Sequence, residues 1–489
     1  MKQCTIVIRD EVNIKIEGLD LDCRKALVTA FKYENPAARY LPAVRLGRWD
    51  GKIAYFQLGG STYVNLLPEI MPILDKFDYS PVLDDQREYT TTFDFAAVSE
   101  NHYNHVLWPK SHPAAGQPMV LRDYQVEIIN KFLTNPQCIQ EVATGAGKTI
   151  ITAALSDAVS AYGRSIVIVP NKSLVTQTEA DYINMGLDVG VYFGDRKEYN
   201  RQHTICTWQS LNNMMKLTKT GEAEITIHEF IQDVVCVIVD EVHMAKADAL
   251  KTLLTGAMSQ IPLRWGLTGT VPKELFESQA LLVSLGPVVS RLSASTLQDA
   301  GVLAQCHVNI VQLVDHVEYK DYQSELKYLL EESGRLDTMA ELIRKVNETG
   351  NTLVLVDRTE CGRQLVERLG DKAVFVSGST KAKTRQDEYN QVADATDKII
   401  VATYGVAAVG INIPRIFNLV LVEPGKSFVR VIQSIGRGIR KAEDKDHVEI
   451  WDITSTCKFA KRHLTKRKAF YKEANYPFSA EKLEWMKIK

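Results

Sequence analysis

The sequence predicts an α/β protein in which two parallel-sheet domains stand in tandem behind a small α+β domain. Three observations predict this. Short unbroken apolar runs recur between helical patterns, at 166–169, 234–239, 353–356, 374–376, 399–401 and 419–422. They fall into two groups, and a largely helical stretch at 317–346 separates the groups. Such runs read as strands covered on both faces, which is how parallel sheets are buried. A length of 489 residues leaves room for about three domains of ordinary size.

The domains follow in order. Residues 1–85 mix short alternating apolar segments with one helix expected at 23–33. Asp50 and Gly51 form a turn that leads into a strand at 53–56. A polar stretch with Pro109, Pro113 and Pro118 reads as a linker, placed at 86–117. The first sheet domain is expected at 118–300, the second at 301–455, and a basic extension at 456–489.

Apolar residues make up 45% of the chain and charged residues 24%, ordinary material for large cores. With 58 basic and 60 acidic residues the formal net charge is −2. A polyanion would therefore have to be held by local basic patches and not by a global field. The eight cysteines lack the close spacing of a zinc or redox motif, so reduced thiols in an intracellular setting are expected. The first residues carry no secretory pattern and no apolar run is long enough to cross a bilayer. The expectation is a soluble cytoplasmic protein (in the host cytoplasm if phage-encoded) with no membrane partner.

Thr144-Gly145-Ala146-Gly147-Lys148-Thr149 is a Gly-rich loop of the kind that cradles phosphates. Gly145 and Gly147 let backbone N–H groups turn inward, and a following helix N-terminus adds positive potential. Lys148 would reach the β- and γ-phosphates of ATP, and the Thr149 hydroxyl would hold Mg²⁺. The common pattern has a glycine where this chain has Val142, so the loop is a variant. An apolar strand then ends in Asp240 and Glu241. Asp240 could hold Mg²⁺ through its water shell, and Glu241 could orient or deprotonate the attacking water. Further on, helical spacing would put Gln433, Arg437 and Arg440 on one face. Two guanidinium groups there could clamp the γ-phosphate as arginine fingers.

In this order the pieces resemble the superfamily 2 helicases over about residues 119–455. The resemblance implies that both sheet domains are RecA-like motor domains. It makes Gln125 the base-reading residue upstream of the loop, and Pro170, Asn171, Thr207 and Gln209 strand contacts in the first motor domain. Asp240-Glu241-Val242-His243 resembles the DExH signature, with His243 bridging to a coupling segment at Thr268 and Thr270. In the second motor domain it implies a strand contact at Thr403, nucleotide contacts at Gly410 and Asn412, and a coupling role for Gln433. Asn412 stands where the family often has Asp, which keeps hydrogen bonding but loses the charge.

The wider layout is similar to that of recombination and repair helicases within this superfamily. That similarity implies a motor on branched or forked DNA: fork regression, Holliday-junction branch migration and removal of displaced-strand loops, RNA–DNA hybrid loops included. Basic patches would supply the grip. Residues 458–472 hold seven Lys or Arg and no acid, among them Lys458, Lys461, Arg462, Lys466, Arg467 and Lys468. Residues 24–52 hold seven basic residues against two acids, with Tyr33, Tyr40 and Trp49 among them. Basic side chains neutralise phosphates, and exposed aromatics stack on unpaired bases. An RNA helicase uses the same nucleotide chemistry. A nucleotide-gated clamp or annealing module would need none of Glu241, Arg437 and Arg440.

Overall fold

The computed structural model describes residues 2–35, 38–87, 92–109, 114–242, 247–272, 274–378, 395–407, 415–425 and 446–485. The chain forms two compact units, one of residues 1–142 with 147–291, the other of 292–489 with the short segment 143–146.

The first unit begins with a four-stranded sheet, in spatial order Ser61–Tyr63, Asn13–Glu17, Lys2–Ile8, Tyr79–Asp85. Its alternating apolar residues Cys4, Ile6, Ile14 and Ile16 face Leu27, Ile70 and Leu74 of two helices, Leu21–Ala30 and Leu67–Lys76. The first helix is shorter than the expected 23–33. It is capped at Phe31, and Lys32–Glu34 pairs as a strand with Lys52–Ala54, placing Tyr33 opposite Ile53. The pairing that the Asp50-Gly51 turn makes possible outweighs another helical turn.

This small sheet is fused to its neighbour. Val283, from the first large domain, is fully buried in the small domain's core. Asn13 Nδ2 donates to Thr255 O at 2.9 Å, and Gln137 Nε2 to Glu11 O at 2.7 Å. The stretch read as a linker also lies on the large domain. Phe93 and Phe95 each meet the Tyr162 ring at 5.2 Å, and Tyr103 OH donates to Asp157 Oδ2 at 3.0 Å.

The large domain is an eight-stranded sheet: Arg196–Lys197, Val189–Phe193, His203–Thr207, Arg164–Val169, Val234–Asp240, Leu263–Thr268, Gln137–Val142, Val288–Leu292. Its central strands run parallel. Their register brings Thr207 opposite Val169, Asp240 opposite Leu267, and Thr268 opposite Glu141. The carboxyl ends of five strands therefore share one edge, where open α/β sheets take their ligands.

The second unit holds a seven-stranded parallel sheet: Ala373–Val376, Ile399–Thr403, Thr352–Val356, Asn418–Val422, His447–Ser455, Gln305–Leu313, Phe478–Leu483. Helices Tyr322–Glu331 and Ser333–Asn347 occupy the stretch expected to be helical. The described residues beyond 455 pack into this unit. Helix Lys458–Glu473 buries Leu464 and Tyr471, and the last strand pairs along Gln305–Leu313 from Val308↔Phe478 to Leu313↔Leu483. Among the described residues no helix is long and apolar enough to cross a membrane.

Candidate functional site

Strand Gln137–Val142 leads into the Gly-rich loop, and helix Lys148–Val159 leaves it. Gly145 and Gly147 have φ of 92° and 81°, a region open to glycine and strained for other residues. At Gly147 the requirement is doubled. A Cβ there would lie 2.5 Å from Gln125 Nε2, so a side chain would collide with the glutamine that flanks the loop. Gly147 is also the N-cap of the helix and has no side chain with which to cap it. The amide groups of the first turn are thus presented as an anion-binding terminus. Gln125 is held in turn by its own helix, Asp123–Leu133, where Oε1 accepts from the Arg122 N–H at 2.9 Å.

Lys148 Nζ forms an ion pair with Glu241 Oε1 at 3.0 Å, with both side chains about nine-tenths buried. Nζ also donates to Val142 O at 3.4 Å. Glu241 lies just past the end of its strand with φ of 51°, an unusual backbone for a non-glycine residue. That bend folds the Glu241 N–H onto Asp240 Oδ1 at 2.9 Å. The other Glu241 oxygen, Oε2, accepts from the Gly269 N–H at 3.3 Å. Thr268 Oγ1 donates to Thr270 O at 2.7 Å and accepts from the Thr270 N–H at 3.2 Å. Thr270 Oγ1 is buried with no hydrogen-bond partner among the described residues. One carboxylate therefore joins the loop lysine to the segment at 268–270.

The donor set fits a nucleotide with its cation. Hydroxyl and carboxylate oxygens at Thr149 and Asp240 suit a hard ion such as Mg²⁺, and the glycine loop with Lys148 suits polyphosphate.

On the next two strands of the same edge beyond the Asp240 strand, two helices begin. Asn171 Oδ1 accepts from the Leu174 N–H at 3.0 Å and caps Lys172–Asn184. Asn171 Nδ2 is buried without a partner among the described residues. Thr207 Oγ1 caps Trp208–Thr220 by accepting from the Ser210 N–H at 3.3 Å. Gln209 Nε2 donates to Pro170 O at 3.4 Å, tying the two strand ends together. Thr403 closes its strand opposite Val356. His243, Gly410, Asn412, Gln433, Arg437 and Arg440 lie outside the described residues.

The basic helix needs one correction. Lys458, Lys461, Arg462 and Lys466 are exposed and Lys468 is half-buried, but Arg467 is 1% exposed. Its Nε and Nη2 hold both oxygens of Asp452 at 2.8 and 2.9 Å, and Nη1 donates to Gly425 O at 2.7 Å. Helical periodicity sets it on the face of Leu464 and Tyr471, so it is no contact for a nucleic acid. Sequence reading also missed Glu141, which takes the Val271 N–H at 3.3 Å and pairs with Arg291 at 3.2 Å. Its place one residue before Val142, at the mouth of the loop, was the available signal.

Residues 118–273 match the family described as the Type III restriction enzyme, res subunit, and residues 334–442 match the helicase conserved C-terminal domain. The ATP-dependent DNA helicase uvsW of Enterobacteria phage T4 is 23% identical over 481 residues, 93% of this chain and 92% of that protein. The DNA 3'-5' helicase XPB of Kineococcus radiotolerans is 23% identical over 371 residues, 73% of this chain and 64% of its own. Among solved structures, the ATP-dependent Type ISP restriction-modification enzyme LlaBIII bound to DNA is similar over 86% of this chain and 36% of that one. That match has a TM-score of 0.56 and 14% identity. Its similarity is one of fold. With a loop, a strand-end acid pair and two tandem RecA-like sheets in that order, the chain resembles the superfamily 2 helicases, uvsW among them, and its two matched domains support an ATP-dependent helicase.

Proposed function

We propose that the chain is an ATP-driven DNA helicase that remodels branched DNA: fork regression, Holliday-junction branch migration and unwinding of displaced-strand loops. The observation that carries this reading is the shared sheet edge. Residues suited to nucleotide and two helix N-termini suited to backbone phosphate sit on neighbouring strand ends of one sheet. DNA is preferred as substrate because the relative that spans nearly the whole chain is named a DNA helicase.

Bound MgATP supplies the phosphoanhydride whose hydrolysis drives such a cycle. Lys148 leaves Glu241 to neutralise phosphate charge, and Glu241, so released, orients and deprotonates the attacking water. Thr149 and Asp240 would hold Mg²⁺. We assign the finger role to Arg437 and Arg440, and the relay to the nucleic-acid side to His243, Thr268, Thr270 and Gln433. The small domain offers a further contact, since Tyr40 and Leu46 are 64% and 65% exposed among the exposed Arg39, Arg45 and Arg48. An aromatic and an apolar side chain amid arginines suit unpaired bases at a branch point.

The test is steady-state ATPase on forked DNA, linear duplex, single-stranded DNA and forked RNA, with Lys148→Ala as the blank. Strongest stimulation by forked or single-stranded DNA is expected. Strongest stimulation by RNA would overturn the substrate and leave the nucleotide assignments standing.

A further inference from the structure

We infer that the second unit carries a dedicated site for a backbone phosphate of the bound strand, in an open cleft at the amino end of helix Lys458–Glu473. The inference rests on the nucleic-acid reading above and deepens it, by naming one site within a basic surface. Strands Gln305–Leu313 and His447–Ser455 run parallel and end together at Leu313 and Ser455. The segments that leave them wall the cleft, with His316 and Glu318 on one side and Thr456, Lys458, Lys461 and Arg462 on the other.

Two features make the cleft a site and not merely part of a charged surface. First, its field is positive because its buried acid is already engaged. Asp315 Oδ1 accepts from Tyr328 OH at 3.1 Å and Trp485 Nε1 at 3.0 Å; Oδ2 accepts from Ser455 Oγ at 2.5 Å and pairs with Arg335 Nε at 3.3 Å. That leaves Lys458, Lys461 and Arg462 against Glu318 in the cleft, with Glu484 3.8 Å from His316 on its wall. Second, the cations are positioned. Lys458 Nζ and the Arg462 guanidinium lie 5.9 and 5.8 Å from the centre of the same Phe459 ring. The helix N-terminus itself is not the ligand group. Phe459 and Ala460 donate their N–H groups to Glu325 Oε2 and Oε1 at 3.0 and 2.7 Å. The side chains of Lys458, Lys461 and Arg462 would do the binding, as a clamp on a phosphodiester.

Lys468 and Lys472 provide the internal control, because they extend the basic stripe of the same helix away from the cleft. The experiment uses the full-length chain and a fluorescein-labelled single-stranded 30-mer, with affinity measured from about 50 to 200 mM salt. Three proteins are compared: wild type, Lys461→Gln with Arg462→Gln, and Lys468→Gln with Lys472→Gln. Each double variant removes two positive charges from the same helix. Thermal unfolding is expected to match wild type in both.

If the cleft grips a phosphate, its double variant lowers the salt slope by about 0.7, the value for one lost phosphate contact on a single strand, and weakens binding about fivefold or more. The Lys468 and Lys472 variant stays within about twofold, as expected of a screened surface charge. Equal losses in the two variants would overturn the inference, leaving only a diffuse stripe. No loss in the cleft variant, with wild type binding normally, would overturn it as well. A wild-type chain with no salt-dependent binding would remove the nucleic-acid reading and the cleft with it. Pyrophosphate settles the source of the phosphate. Displacement of the strand beyond what ionic strength explains would reassign the cleft to a free anion and overturn the backbone assignment.

Discussion

Lys148–Glu241 and Arg467–Asp452 are both buried cation–carboxylate pairs near the carboxyl end of a sheet, and they have opposite characters. Arg467 uses two nitrogens on the two oxygens of Asp452 and spends a third on Gly425 O. Tyr471 OH completes Asp452 Oδ2 at 2.7 Å. Lys148 reaches one oxygen of Glu241 and one carbonyl at 3.4 Å. A rigid fork with its bonds made is a fixture; a flexible ammonium with one short partner can change hands. The Arg467 pair fixes its helix to the sheet, and we propose that the Lys148 pair is the one broken when phosphate arrives.

Removing each cation should separate the two roles. Arg467→Ala leaves Asp452 buried and unpaired, so unfolding free energy should fall by about 3–5 kcal/mol. Denaturant melts read this directly. A loss below about 1 kcal/mol would make Arg467 as exchangeable as Lys148. Lys148→Ala should instead cut ATP turnover by about 10²–10³-fold and leave DNA affinity within a few-fold. Glu241→Gln, which keeps the shape, should hold an ATP-bound, DNA-engaged state. Wild-type turnover in either variant would show that the loop pair is as structural as the other.

A smaller effect sharpens the contrast with a third buried cluster that carries no charge. His203 Nδ1 meets Ser165 Oγ at 2.8 Å and Nε2 meets Ser160 Oγ at 3.2 Å, and burial lowers its pKa to about 4. The unfolded chain takes up a proton near pH 6.5 and the folded chain only near 4. Stability from this residue is therefore complete above about pH 6.5 and is lost as pH falls towards 4, by about 3 kcal/mol in all. Subtracting the pH profile of His203→Gln from that of wild type isolates the contribution. A flat difference would mean that the histidine protonates freely in the fold.

How much was legible in the sequence depended on what a residue's neighbours in the chain decide. The loop glycines, Lys148 and the acids after an apolar strand owe their roles to local backbone, and the structure gathers Lys148, Asp240 and Glu241 within one set of contacts. Both sheets were foreseen from strands that read as unbroken apolar runs. Strands Gln137–Val142, His203–Thr207 and Phe478–Leu483 were not, because Gln, Glu, Thr and Lys interrupt them. In the first of them the buried Gln140 Nε2 is satisfied by a distant partner, Ile128 O at 2.8 Å, which no local pattern reveals. Arg467 failed for the same reason. Composition groups it with Lys466 and Lys468, and only the partner at Asp452 separates it from them.

The fusion of the small domain with the first large one has a consequence for how such proteins can be assembled from parts. A cut after residue 85 or before 118 looks clean along the chain. It would strip the cover from Val283, and Gln137 and Thr255 would lose partners that come from Glu11 and Asn13. Gln137 also opens the strand whose far end enters the phosphate loop. The small domain is therefore not a cassette that can be traded between motors. Swapping it requires matching changes at 137, 255 and 283, and a lineage that lost it would have to rebuild that face of the first motor domain.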